Sequence, residues 1–170
     1  MIRGLDEELV ALKYSHIERE RRFLVDPTRR PDLAGLPNIL IEDRYIDGTR
    51  LRLRRMTASD TGRVVIKLTK KYAEGPRSAR PMVTTYLTQA EYDLLAALPA
   101  HPLRKRRYPL GIFSIDQLEG ALAGLELSES EQPDAEALAA LGLPDWAIAE
   151  VSDDARYEGG SLVVAGIPAR

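Results

Sequence analysis

The chain has 170 residues, 44% of them hydrophobic and 29% charged, and its 24 basic and 26 acidic residues leave a formal net charge of −2. That composition builds a single domain with its own core and a charged surface, without the overall basic excess of a nucleic-acid binder. There is no cysteine, and the two histidines, His16 and His101, lie far apart, which excludes disulfides, thiolate zinc sites and cysteine nucleophiles and argues against a histidine metal site or a serine–histidine triad.

The N-terminal MIRGLDEELVALKY carries acids where a signal peptide has basic and then apolar residues, so a cytoplasmic location is expected. No stretch approaches the roughly 18 apolar residues of a membrane span. Residues 6–22 admit two readings. Propensity favours a helix with Glu18 and Arg22 as an i,i+4 pair. Alternation equally puts Glu18, Glu20 and Arg22 on one strand face and Ile17, Arg19, Arg21 and Phe23 on the other, and Phe23-Leu24-Val25 before Asp26-Pro27 reads as a strand and a turn.

Strands Ile39–Ile46 and Thr49–Arg55 are expected around the hairpin signal Asp47-Gly48. Val64–Thr69 and Met82–Leu87 follow as strands, then a helix Gln89–Leu98 capped by Thr88 and ended by Pro99. Leu103–Leu110 and Phe113–Gln117 are predicted strands, with a leucine-rich turn at 118–125. Glu126–Glu131 reads as a strand, Asp134–Leu141 as a short helix closed by Gly142, and Asp145 as the cap of a further helical turn through Trp146. Mostly strands with few βα alternations argue an antiparallel α+β or barrel protein.

The charges are clustered along the chain. Basic groups fall at Arg19–Arg22, Arg50–Arg55, Lys67–Lys71 and Arg104–Arg107, and acidic ones at Asp6–Glu8, Glu126–Glu136 and Asp153–Asp154. On a strand, Glu18-x-Glu20-x-Arg22 lines two carboxylates and a guanidinium along one face about 6–7 Å apart per step. Two such carboxylates repel unless a cation such as Mg²⁺ lies between them; on a helix the same run is a solvated face. Arg50-x-Arg52-x-Arg54 stacks three guanidiniums, suited to phosphate oxygens, or else guards an edge strand. Lys105-x-Arg107 and Lys67 extend the basic theme, and Glu129-x-Glu131 repeats the acidic one. In a closed, wet barrel, acids facing inward hold metal while bases hold phosphate.

The ordered series resembles the CYTH domain of the triphosphate tunnel metalloenzymes. Glu18-Arg19-Glu20-Arg21-Arg22-Phe23-Leu24-Val25 is similar to that family's ExExK signature and its apolar continuation, and Leu51-Arg52-Leu53-Arg54 to its phosphate-binding strand. Lys67 falls at a tunnel lysine, Lys105-Arg106-Arg107-Tyr108 at a K-x-R-Y strand, and Ile115-Asp116 at an aspartate segment. Leu127-Ser128-Glu129-Ser130-Glu131 resembles the second Glu-x-Glu strand, and Pro144-Asp145-Trp146 with Glu150-Val151-Ser152 the C-terminal tail. The likeness spans residues 15–166 of what is read as one domain over 1–170.

The resemblance implies an α+β fold, an eight-stranded antiparallel β-barrel forming a tunnel with helices packed outside. It implies triphosphate binding by Arg22, Arg52, Arg54, Lys67, Lys105 and Arg107, with Arg22 at the catalytic position. Glu18, Glu20, Asp116, Glu129 and Glu131 are implied to bind Mg²⁺ or Mn²⁺. The implied activity is metal-dependent hydrolysis of inorganic or a related triphosphate, by a monomer or homodimer with no nucleic-acid or membrane partner. The alternatives are a non-catalytic triphosphate- or polyphosphate-binding module, and an adenylate cyclase or nucleoside triphosphatase, because a shared fold does not settle the substrate. Two departures bear on this. Arg22 replaces the signature lysine and stays protonated, so it is no general base. Thr84-Thr85-Tyr86 stands where many members carry a further acidic pair.

Overall fold

The computed structural model describes residues 14–73 and 75–169. The acidic group Asp6–Glu8 and the first half of the ambiguous stretch lie outside the described residues. From His16 onward the alternation wins over helix propensity, and His16–Val25 is strand β1. There follow β2 (Ile39–Ile46), β3 (Leu51–Ala58), β4 (Val64–Lys71), β5 (Ala79–Tyr86), β6 (Ala100–Leu110), β7 (Phe113–Leu118), β8 (Glu126–Glu131) and β9 (Ala147–Glu150). The helices are α1 (Gln89–Ala96), α2 (Ala135–Ala140) and α3 (Gly159–Ala165).

All pairings are antiparallel, in the order β5-β4-β3-β2-β6-β7-β8-β1, and β1 pairs back onto β5. The sheet is thereby an eight-stranded closed barrel with helices outside. Closure leaves none of the eight strands as a bare edge. β1 completes it by changing neighbours: His16–Arg19 pair with β5, and Phe23–Val25 pair with β9 where β5 has ended. Its opposite edge pairs with β8 through Glu20–Leu24. Gly48, at φ 68°, supplies the left-handed turn between β2 and β3.

Period-two alternation sorts the strands. On β1, Phe23 points outward and is fully buried beneath Phe113 and Trp146, whose rings meet edge to face. The inward row runs Glu18, Glu20, Arg22 and then Leu24. Leu24 clusters with Leu103, Leu118 and Leu127 from β6, β7 and β8, and with Leu122, Leu125, Tyr157 and Leu162. Each of these strands therefore carries charge along part of its inward face and apolar packing along the next part.

Several boundaries differ from the sequence reading. β5 and β6 start three residues early, at Ala79 and Ala100, because Pro81 and Pro102 are accommodated in the ladders opposite Ile17 and Arg44. No helical turn follows Asp145; residues 145–146 turn directly into β9. Arg21 fastens this region, donating to both Glu150 carboxylate oxygens at 2.9 and 2.7 Å and to the Leu138 and Leu141 carbonyls. α1 carries the expected cap, a reciprocal pair between Thr88 and Glu91.

α3 is absent from the sequence reading because it opens with Gly159-Gly160, a poor helix start by propensity. Contact explains the pair: a Cβ on Gly159 would lie 1.9 Å from the Tyr45 hydroxyl oxygen. Gly159→Ala is accordingly expected to lower stability by about 1–3 kcal/mol through overpacking. Adding Tyr45→Phe, which removes the clashing oxygen, should restore part of the melting temperature in thermal unfolding.

Candidate functional site

Inside the barrel lies a cavity of about 610 Å³. Ten basic and five acidic side chains line it, and Asp43 and Asp116 are buried in its wall. All the residues expected at the site line this one space except Asp116, which reaches it through Lys105 and Arg107. Glu18, Glu20 and Arg22 come from β1, Arg52 and Arg54 from β3, Lys67 from β4, Lys105 and Arg107 from β6, and Glu129 and Glu131 from β8.

Most of the charges are paired. Arg22 donates from Nε to Glu129 Oε1 at 2.9 Å, from Nη2 to Glu20 Oε1 at 2.6 Å and from Nη1 to the Tyr157 carbonyl at 3.2 Å. Arg54 grips Asp43 bidentately at 2.6 and 2.7 Å, with the two residues only 5% and 2% exposed. Arg107 holds both Asp116 oxygens at 2.7 Å and also meets Glu129. Lys105 contacts Asp116, and Lys71 contacts Glu18.

Three lining cations break the pattern, the exposed Arg50 and the half-buried Arg52 and Lys67. Among the described residues, neither Arg52 nor Lys67 has a carboxylate within 4.0 Å, and the Arg52 Nε is buried with no hydrogen-bond partner. The strand register sets Lys67 directly opposite Arg54, whose own carboxylate partner is Asp43. It also sets Glu20 directly opposite Glu131. Like charges facing across a ladder are destabilising unless something of opposite sign joins them. The barrel therefore carries one base-on-base and one acid-on-acid pair within the same cavity.

Protonation follows this layout. Burial, with repulsion from Arg54 and Arg52, depresses the Lys67 ammonium below the ordinary lysine range. Burial, together with Glu129 and Glu18, raises Glu20 in spite of Arg22 and Lys71. Burial would lower the Arg22 guanidinium, but Glu20 and Glu129 outweigh it and push the group above its usual value. Burial likewise opposes Asp116 and Glu129, yet the cations around each hold both below the ordinary carboxylate range.

The acids are oxygen donors of the kind a hard divalent cation prefers. Glu20, raised by burial, Glu129 and Glu18, faces Glu131 across the ladder and is paired with Arg22. Among the described residues, however, no three histidine, aspartate or glutamate side chains are gathered as a ready metal cluster. Where many CYTH members carry a further acidic pair, Thr84 instead bonds Thr69, hydroxyl to hydroxyl at 3.0 Å.

The sequence reading overlooked Asp43, Lys71, Arg77, Arg80 and Glu158. A signal existed for the first two. The Asp47-Gly48 hairpin sets Asp43 opposite Arg54, and Lys71 continues the alternation from Lys67 through Thr69. Arg80 is hidden by its neighbour Pro81, and the partnership of Arg77 and Arg80 with Glu158 spans some 80 residues without any local pattern.

No protein-family model matches the chain, and no curated protein does. Solved structures do. The crystal structure of the hypothetical protein NE1496 is 26% identical, aligns over 89% of this chain and 99% of its own, and superposes with a TM-score of 0.54. A second structure of that protein, described as the inorganic triphosphatase NE1496, gives 24% identity, 89% and 97% coverage, and a TM-score of 0.54. HpAC1 from Hippeastrum, described as having a dominant triphosphatase activity, is 8% identical over 89% and 97%, with a TM-score of 0.50. The chain shares the fold of these neighbours, a closed antiparallel barrel consistent with the CYTH domain expected from the sequence.

The buried Asp43–Arg54 pair gives a stability test. Burial opposes the Asp43 carboxylate, but Arg54 outweighs it and lowers its pKa. A depressed folded-state pKa contributes stability above the unfolded aspartate value, and that contribution disappears as pH falls through the folded value. Asp43→Asn should cost about 3–5 kcal/mol near neutral pH by leaving Arg54 uncompensated. The difference between wild type and variant in denaturant unfolding should shrink on acidification below the ordinary aspartate range.

Proposed function

We propose that the cavity binds inorganic triphosphate and that the protein hydrolyses one of its phosphoanhydride bonds with the help of Mg²⁺ or Mn²⁺. The observation that carries this reading is the positive charge of Arg52 and Lys67, half-buried in the barrel cavity with no carboxylate of the described residues within 4.0 Å, beside Arg54, Arg107 and Lys105. A compact polyanion with many oxygens matches that arrangement, and guanidinium forks bind phosphate oxygens bidentately. The likeness to the inorganic triphosphatase NE1496 supports the choice of ligand.

In this reading Arg52, Arg54 and Lys67 hold the phosphate chain, and Lys105 and Arg107 neutralise further oxygens while Asp116 orients them. Arg22 is placed as the catalytic cation beside the phosphoryl group that is transferred. Its permanent charge stabilises developing negative charge and leaves proton removal to another group. Water attacks phosphorus, the P–O–P bridge breaks, and the products are pyrophosphate and orthophosphate. Glu18, Glu20, Glu129 and Glu131 would hold the divalent ion, with Asp116 behind them. When bound, that ion would supply charge neutralisation for the phosphoryl oxygens.

A second reading, triphosphate binding without turnover, is favoured by Thr84 in place of an acid and by the engagement of Asp116 with two cations. Phosphate release from tripolyphosphate, thiamine triphosphate and ATP, each with Mg²⁺ or Mn²⁺, separates the readings. Metal-dependent release from tripolyphosphate is the expected result. Arg52→Ala should lower kcat/KM by about 30-fold or more, the equivalent of one lost charge-assisted contact, whereas Arg19→Ala, on the outward face of β1, should leave it unchanged. Tight binding without release would select the second reading, preferential turnover of ATP would select a nucleotide enzyme, and equal losses in both variants would contradict the cavity as the site.

A further inference from the structure

At one part of the cavity wall, away from Arg54 and Asp43, two guanidiniums share a single carboxylate oxygen. Glu158 Oε1 accepts from Arg77 Nη1 and forms an ion pair with Arg80 Nη2 at 3.0 Å. Arg80 is largely buried, and its Nε lies in the interior with no hydrogen-bond partner. Directly across the ladder from Arg80 is Glu18, whose carboxylate is held by Lys71. Arg77 and Arg80 thus share Glu158, the facing acid Glu18 is already held by Lys71, and a buried donor on Arg80 is left over. All three side chains line the same cavity as Arg52 and Lys67.

Glu158 differs from the other acids in how it reaches this place. It comes from the C-terminal segment rather than from a barrel strand. It stands at the cap position of α3, yet its side chain makes no cap bond. The seat is fixed by the close approach of Gly159 and Gly160 to Tyr45. A carboxylate carried on the C-terminal segment can be displaced by a stronger anion without breaking a barrel ladder, unlike an acid on a barrel strand.

We propose that Arg77 and Arg80 form an additional anion subsite, occupied by Glu158 in the absence of ligand, that takes the phosphoryl group of a linear inorganic phosphate chain longer than three units. The proposal rests on the triphosphate reading and extends it to chain length. The triphosphate occupies the region around Arg52 and Lys67, and a fourth phosphoryl group replaces the Glu158 carboxylate on the two guanidiniums. Phosphate presents several oxygens where Glu158 offers one shared oxygen, so the unpartnered Arg80 Nε gains an acceptor.

Calorimetric titration with tripolyphosphate and with tetrapolyphosphate, both in excess chelator to prevent turnover, tests this. Glu158→Gln removes the internal competitor and should tighten tetrapolyphosphate binding by about tenfold, with little change for tripolyphosphate. Arg80→Gln and Arg77→Gln should weaken tetrapolyphosphate selectively. A gain on Glu158→Gln is not what a purely structural contact produces, since loss of a helix anchor would weaken both ligands. Thermal unfolding of each ligand-free variant identifies any that fails to fold, and the remaining variants decide the matter. Equal effects on the two ligands, or no gain in Glu158→Gln, would overturn the subsite while leaving triphosphate binding intact. Absence of tripolyphosphate binding in the wild type would overturn the triphosphate reading itself, and the subsite with it.

Discussion

Positive charge held inside a closed barrel is the constraint on which the rest of this structure turns. Two unit charges about 6 Å apart repel by roughly 3 kcal/mol at an effective dielectric of 20, and moving each out of water adds a desolvation cost of several kcal/mol. The barrel meets most of this with acids on neighbouring strands: Asp43 for Arg54, Asp116 for Lys105 and Arg107, and Glu129 for Arg22 and Arg107. Where the acids run out, at Arg52 and Lys67, the interior is left in a state that an anion would stabilise. Binding and stability are thus two aspects of one charge arrangement.

The apolar parts of the fold make that arrangement possible. Leu24, Leu103, Leu118 and Leu127 continue the charged inward rows and pack with Tyr157 and Leu162, so the charged section rests against a dry one. Outside, Phe23 sits under Phe113 and Trp146, and Arg21 binds β9 and the end of α2 to β1. These contacts fix the register of β1. A slip of one residue would turn Glu18, Glu20 and Arg22 to the outside and bring Arg19 and Arg21 in. The charge layout of the cavity depends on that register, because it sets Glu20 against Glu131 and Arg54 against Lys67. Among the described residues no helix is long and apolar enough to cross a membrane.

Much of this was legible in the sequence because both barrel faces obey a period of two. Once β1 is read as a strand, the Glu-x-Glu and Arg-x-Arg spacings alone state which side chains share a face, and the Asp47-Gly48 hairpin sets β2 against β3. What remained hidden depended on contacts rather than on local pattern. Pro81 and Pro102 masked the starts of β5 and β6, and so concealed Arg80. The glycines of α3 make sense only beside Tyr45, and the meeting of Glu158 with Arg77 and Arg80 has no counterpart in local spacing. The pairing of Asp116 with Lys105 and Arg107 was likewise beyond reach, since spacing brings charges to one cavity but does not say which partners they choose.

The central claim is that the uncompensated cations of β3 and β4 receive a triphosphate inside the barrel. A crystal structure of the protein with tripolyphosphate tests it most directly. The account places the phosphate chain within the cavity, with oxygens within hydrogen-bonding distance of the Arg52 Nε and of the Lys67 ammonium. Electron density for the ligand only on the outer surface, or in the cavity but remote from both Arg52 and Lys67, would contradict it.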